Sequence, residues 1–152
     1  KIELKVKQEI QPVLDIIDKS IPYNIIFVVE HDTMIYISTS SKHPHPINED
    51  NAVIDWTFKT DWFQPSQNKY TLQLKKSIDA IYHDFCIQLS GKSTMANKPL
   101  QDLIFFKKNV DSLEKEIARL KSRIAISKQF NSKIELNLRL KELEKELKAL
   151  IE

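Results

Sequence analysis

The sequence predicts an α+β fold: a mixed sheet with the element order β-α-β-β-β-α, followed by a C-terminal coiled-coil hairpin of two helices. Two observations support this prediction. Up to about residue 90, strand-like apolar runs alternate with segments of helical periodicity. From residue 100 onwards, apolar residues recur every three or four positions, which is the spacing of a heptad seam. The predicted organisation is therefore a small α/β domain at 1–90, a linker at 91–99 and a helical hairpin at 100–152.

A strand and a helix open the chain. Residues 2–6 alternate apolar and polar side chains, which is the period of a half-buried strand. Pro12 suits the first turn of the following helix, whose predicted apolar face comprises Val13, Ile16 and Ile17. Because the sequence starts within the first strand, we expect the domain to be N-terminally truncated.

Further strands and a second helix complete the predicted α/β domain. The β-branched and aromatic run at 23–30 predicts a central strand covered on both faces, and 34–39 predicts its antiparallel neighbour. Residues 42–51 contain two prolines and predict a loop, 52–58 predict another strand, and 70–74 predict a short extra strand. The second helix should end at Gly91, and its predicted apolar side consists of Ile78, Ile81, Tyr82, Phe85 and Leu89.

Two apolar seams follow one another in the C-terminal segment. The first consists of Leu103, Phe106, Val110, Leu113, Ile117, Leu120 and Ile124. The second consists of Leu136, Leu140, Leu143, Leu147 and Leu150. The twelve-residue step from Ile124 to Leu136 breaks the heptad register, and the residues between are mostly polar. Two helices joined by a turn are therefore predicted, and one bent helix is the alternative, because no glycine or proline forces a break.

The turn between the two seams is the second predicted interaction element. Ser132 and Glu135 have the S-x-x-E form of a capping box, in which each side chain satisfies a backbone donor of the other residue. We assign the turn to these two residues together with Gln129, Phe130 and Asn131. Turn and seam are expected to contact a protein partner or a second copy of the chain.

Composition excludes several classes of protein. Gly91 is the only glycine, which argues against a glycine-rich phosphate loop. The single cysteine, Cys86, rules out an internal disulfide and fits a reducing compartment, so we expect a cytoplasmic protein. The longest apolar run, 25–29, is far too short for a membrane span, and no membrane partner is expected. A net charge of +2 does not require a nucleic-acid partner.

Glu3 and Lys5 have the local form of half a metal-dependent nuclease site. In such a site the carboxylate binds Mg²⁺ and the lysine polarises the water or the phosphate. A second acidic residue on a preceding strand is also required. The ordinary explanation is an exposed strand face, and we favour it because Glu and Lys alternate on many strands.

Two other groups of side chains have both a functional and an ordinary explanation. Histidines with Cys86 could be metal ligands, but loop and core positions are the favoured explanation for His31, His43, His45, His83 and Cys86. Aromatic residues beside a cation could stack on nucleic acid, but sheet packing is the favoured explanation for Trp56, Phe58, Lys59 and Trp62.

Five segments of the chain resemble conserved blocks of a known family. Residues 16–23 read IIDKSIPY, and Ile25-Ile26-Phe27 follows them. The others are Ile2-Glu3-Leu4-Lys5, Thr60-Asp61-Trp62, Ile78-Asp79-Ala80-Ile81-Tyr82, and the KQFNSKIELN block at 128–137. Together they resemble the bacterial domain-of-unknown-function family 4391. The resemblance implies a gene neighbourhood with helicases and DNA methyltransferases in prokaryotic restriction or defence loci, and it carries over no catalytic residue.

The sequence therefore predicts a non-enzymatic accessory or assembly protein, and the resemblance implies that it belongs to a DNA restriction or phage-defence system. It would act through protein–protein contacts of the hairpin, with a helicase or methyltransferase as a candidate partner and without a cofactor. The alternatives are a Mg²⁺-dependent nuclease-like domain and a nucleic-acid-binding module.

Overall fold

A four-stranded mixed sheet forms the first half of the molecule, and the predicted α+β class is confirmed. The computed structural model of the chain describes residues 1–48 and 50–152. The strands β1 (Ile2–Glu3), β2 (Ile26–His31), β3 (Met34–Pro44) and β4 (Ala52–Lys59) lie in the order β1-β2-β3-β4. β1 is parallel to β2, whereas the β2–β3 and β3–β4 pairs are antiparallel.

Two helices cover opposite faces of this sheet: α1 (Gln11–Ser20) and α2 (Ile78–Ser90). On β3, Ser38 Oγ bonds to Gln11 of α1, whereas the next residue, Thr39, bonds through Oγ1 to Tyr82 of α2. Successive side chains of a strand point to opposite faces, so the helices must lie on opposite sides. This arrangement explains why residues 36–41 are buried without alternation.

The buried face of α1 differs from the predicted one. Leu14 is fully buried against Phe27 and Val29 of β2, and Ile17 packs beside this cluster as predicted. Val13 and Ile16, however, are 52% and 66% exposed, so their assignment to the apolar face is wrong. The buried side of the helix instead consists of Leu14, Ile17 and Asp18, because the carboxylate of Asp18 is paired there with Lys42 of β3.

Several strand limits also differ from the prediction. β1 comprises two residues rather than five. β3 extends to Pro44, so residues 42–44 of the predicted loop are strand, and residue 49 of that loop lies outside the described residues. Residues 70–74 form no strand, and a short 3₁₀ turn, Pro65–Gln67, precedes them.

Local capping explains both ends of α2. The Ser77 hydroxyl accepts a hydrogen bond of 3.3 Å from the backbone N–H of Ala80. The helix ends at Gly91 as predicted, where φ is +69°, a conformation that costs glycine little. Ile78 is 81% exposed and does not belong to the buried side.

The C-terminal part of the chain folds into two helices rather than one bent helix: α3 (Leu100–Ile126) and α4 (Phe130–Ile151). The chain as a whole forms two compact units, Lys1–Leu100 and Gln101–Glu152. In the second unit, Ile117, Leu120 and Leu143 form a buried cluster with half-buried leucines around it. A turn of three residues, 127–129, joins the helices, so they pack as an antiparallel hairpin.

The predicted capping box is wrong. α4 begins at Phe130 with Gln129 as its N-cap, and no side chain caps it. Ser132 and Glu135 therefore lie inside the first turns of α4. The helix starts earlier than predicted because nothing in 130–132 disfavours helical backbone once the chain has reversed at 127–129.

Candidate functional site

Glu3 and Lys5 lie at the end of β1. Both are exposed, and the parallel register places Glu3 beside Glu30 of β2. Glu30 forms an ion pair with Lys1. In the described part of the chain, no group of three or more His, Cys, Asp or Glu side chains is placed to hold a metal ion. The predicted half-site is therefore one exposed carboxylate next to another that already has a cationic partner.

A ring nitrogen of each of the four histidines bonds to another group of the chain, and the four rings lie at separate strand, loop and helix positions rather than in a shared site. Their partners are Leu4 O for His31 at 3.1 Å, Asp55 Oδ2 for His43 at 3.0 Å, the N–H groups of Ile47 and Asn48 for His45 at 3.3 Å, and Lys98 O for His83 at 2.8 Å.

Cys86 and Tyr82 lie one turn apart on the buried side of α2. Desolvation raises the pKa of the Cys86 thiol to about 12, although its hydrogen bond with Tyr82 opposes the shift. Burial likewise raises the pKa of Tyr82. The Tyr82 hydroxyl donates to Ser40 O at 2.7 Å and lies 3.1 Å from Thr39 Oγ1. Both groups stay protonated at neutral pH, so Cys86 is a core residue and not a nucleophile.

A buried ion pair joins α1 to β3. The side chains of Asp18 and Lys42 are each 1% exposed, and Lys42 Nζ lies 2.8 Å from Asp18 Oδ1. The same ammonium donates to Asp18 O at 3.0 Å and to Ile21 O at 2.7 Å. Its three N–H donors are thus fully used, and two of them bind carbonyls at the C-terminal end of α1. The pair fixes the end of the helix and is closed to solvent.

The aromatic residues singled out in the sequence separate into core and surface. Phe58 is 2% exposed, so a stacking role is wrong for it. Trp62 packs edge-to-face on Tyr36 with 4.7 Å between ring centroids. Trp62 and Tyr70 also line a shallow cleft of about 250 Å³, where Lys69 Nζ lies 5.8 Å from the Tyr70 ring.

Every predicted seam residue of the hairpin is buried or half-buried. This holds for Leu103, Phe106, Val110, Leu113, Ile117, Leu120, Ile124, Leu136, Leu140, Leu143, Leu147 and Leu150. The salt bridges Lys121–Glu144, at 2.9 Å, and Arg139–Glu116, at 3.5 Å, flank the seam. Near the end away from the turn, the small side chains of Ser112 and Ala149 help to leave a cleft of about 450 Å³.

A second apolar face of α4 was not predicted from the sequence. Phe130, Ile134 and Leu138 are 76%, 44% and 58% exposed. They follow one another at four-residue steps, and at about 100° per residue they lie roughly 160° around the helix from the seam leucines. We call these three residues the outer stripe. Their four-residue spacing is visible in the sequence, but the stronger seam pattern masks it.

Residues 1–147 of the chain match the model of a family described as Domain of unknown function (DUF4391). The chain belongs to this family. No curated protein and no solved structure shows significant similarity to the chain. The family assignment confirms the resemblance drawn from the sequence blocks.

Two of those family-like blocks coincide with features of the structure. The IIDKSIPY block contains Asp18, whose ion pair with Lys42 secures the end of α1. The KQFNSKIELN block covers the end of the turn and the start of α4, including Phe130 and Ile134 of the outer stripe. Of the predicted turn residues, Gln129 is the N-cap, and Phe130, Asn131, Ser132 and Glu135 are helical.

No helix in the described residues combines the length and the apolar character needed to cross a membrane.

Proposed function

We propose that the chain is a non-enzymatic assembly protein that binds another protein through its helical hairpin, within a prokaryotic DNA restriction or phage-defence system. The observation behind this proposal is the outer stripe. α4 has two apolar faces, and α3 fills only one of them. Contiguous exposed apolar side chains on a soluble helix are typical of protein interaction sites.

The polar groups of the α/β unit support the same conclusion. Its buried cation and carboxylate, Lys42 and Asp18, are used to hold α1. Its thiol, Cys86, is buried with a raised pKa. These two features serve the fold of the unit, which supports our assignment of the interaction to the hairpin. The defence setting rests on the family resemblance and the gene neighbourhood that it implies.

Affinity purification of the tagged 152-residue chain from its native host tests this function. The wild-type chain should retain a protein of DNA processing, such as a helicase or a methyltransferase. Leu138→Glu should lose that protein, because a charge would enter an apolar contact. Ile16→Glu is the matched control, since Ile16 is equally apolar and 66% exposed on α1.

Circular dichroism would show that both variants keep their helices. Equal retention by Leu138→Glu and the wild type would refute a role of the outer stripe. A wild-type chain that purifies alone, with a light-scattering mass of one 17.8 kDa chain plus its tag, would refute the assembly function.

A second candidate function is a Mg²⁺-dependent nuclease, and one observation favours it. The parallel register sets Glu3 beside Glu30, so two carboxylates lie on neighbouring strands with Lys5 close in sequence. Cleavage of DNA that requires Mg²⁺ and is abolished by Glu3→Ala and Lys5→Ala would support this candidate. Cleavage that survives both substitutions would exclude the site.

A further inference from the structure

We infer that the outer stripe binds an acidic amphipathic helix of a different protein; this inference rests on the proposed assembly function. Three apolar side chains at four-residue steps match the way one helix presents anchors to another. Phe130, the most exposed of the three at 76%, supplies the largest apolar area.

The charge around the stripe selects the partner. Beyond Leu138, the lysines in the same sector of α4 as the stripe are Lys141, Lys145 and Lys148, and the acidic residue of that sector, Glu152, is 3.5 Å from Lys148. Lys141 and Lys145 continue the stripe along the same side of α4, within about 80° at 100° per residue. Neither of these two lysines forms an ion pair with any residue that the structure describes.

A partner helix with apolar anchors followed by glutamates or aspartates would therefore satisfy both parts of this face. Opposite charges across an interface accelerate encounter and disfavour wrong partners. Glu135 and Glu142 lie on one flank of the stripe, and Glu142 is already 3.4 Å from Arg139. Glu144 lies on the other flank, where it is 2.9 Å from Lys121, so the carboxylates on neither flank pair with Lys141 or Lys145.

A second copy of the chain fits this surface poorly. An antiparallel pair centred on Ile134 would set Phe130 of one copy opposite Leu138 of the other. The same register would bring Lys141 and Lys145 alongside the turn of the other copy, where Lys128 lies. Like charges opposed in this way destabilise a dimer. A nucleic acid would bind the lysines through its phosphates but would leave the three apolar side chains without an apolar contact.

Site-specific photo-crosslinking in the host tests the inference on the 152-residue chain. The chain carries Leu138→p-benzoylphenylalanine, and the matched control carries the same group at Ile16. After irradiation, mass spectrometry identifies the segment bound at each position. We expect position 138 to capture a segment of another protein with apolar residues four apart and a net negative charge. Position 16 should not capture that segment.

Capture of this chain itself, of DNA or RNA, or of a neutral or basic protein segment would overturn the inference. Absence of a crosslink at position 138 would also overturn it. If the wild-type chain purifies with a protein partner that position 138 does not reach, the assembly function stands and the stripe is refuted. If no partner purifies with the wild type, the assembly function itself fails.

Charge reversal gives an independent measurement on the captured complex. Lys141→Glu together with Lys145→Glu should weaken the affinity about tenfold, because each replaces an attraction by a repulsion at the interface. The control, Lys141→Arg with Lys145→Arg, keeps the charge and should bind like the wild type. Equal affinity of all three chains would show that charge does not select the partner.

Discussion

Replacing Lys42 with methionine should lower the free energy of unfolding of the α/β unit by about 3–5 kcal/mol. Methionine has a similar length but cannot carry the charge. The substitution would leave the carboxylate of Asp18, whose side chain is 1% exposed, without its cation. It would also remove the donor that binds the carbonyls of Asp18 and Ile21 at the end of α1.

The magnitude follows from burial rather than from the ion pair as such. Removing one partner of a buried pair leaves an uncompensated charge in a medium that solvates it poorly. Lys59 provides the matched control, because it pairs with Glu9 at 2.9 Å while the two side chains are 43% and 68% exposed. Lys59→Met should cost no more than about 1 kcal/mol, since water screens an exposed pair.

Urea unfolding followed by tryptophan fluorescence would measure both variants. The two tryptophans, Trp56 and Trp62, lie in the Lys1–Leu100 unit, so the signal reports on that unit alone. The double variant Asp18→Leu with Lys42→Met should recover much of the lost stability, because the uncompensated charge is gone. A loss for Lys42→Met that equals the loss for Lys59→Met would refute the reasoning.

Three further predictions concern the helices. Leu143→Ala should destabilise the hairpin by about 2–5 kcal/mol in thermal unfolding followed by circular dichroism, because Leu143 is 1% exposed, whereas Leu138→Ala should change little. Ser77→Ala should cost about 1 kcal/mol through loss of the α2 cap, and Ser77→Gly should cost less. The Cys86 thiol should react with a thiol reagent at pH 8 only as the protein unfolds. Since its pKa rises from 9.0 to about 12 on folding, it should make stability decline as the pH increases through that interval, and Cys86→Ala should remove this contribution.

The hairpin shows what a sequence pattern predicts well. Its seam follows a heptad repeat, which can be recognised from the spacing of residues three and four positions apart in the sequence. The register break is equally local and correctly indicates two helices. The exact start of α4 is not predictable from Ser132 and Glu135, because a capping box acts only at the residue where a helix begins, which here is Gln129.

The errors in the α/β unit have a different origin. Asp18 is buried because Lys42, twenty-four residues later, supplies its counterion. No periodicity within α1 reveals that partner, so the pattern wrongly favours Val13 and Ile16 for the buried side. The predicted β3 is too short for the same reason. The polar residues after Thr39 resemble a loop, although Ser40 bonds to Thr57 of β4 and Lys42 bonds to Asp18 of α1.

The outer stripe escapes prediction for a further reason. A helix that contacts two neighbours carries two superimposed apolar patterns, and the longer one dominates the periodicity. Exposure in the folded chain separates them, because Leu143 is buried and Leu138 is not.

The row of hydroxyl side chains on β3 has a consequence for how the sheet finds its alignment. In most strands, alternating apolar and polar residues fix the register, because a slip of one residue would expose the apolar side chains and bury the polar ones. Residues 38–41 are all polar and all buried, and this safeguard is absent from them. Alignment there depends on matched pairs, namely Thr39 with Ile25 O at 2.6 Å and Ser40 with Thr57 at 3.0 Å. The register of the strands at the centre of this sheet is thus set by complementary hydrogen bonds, as in a nucleic-acid duplex, rather than by the burial of alternate apolar side chains.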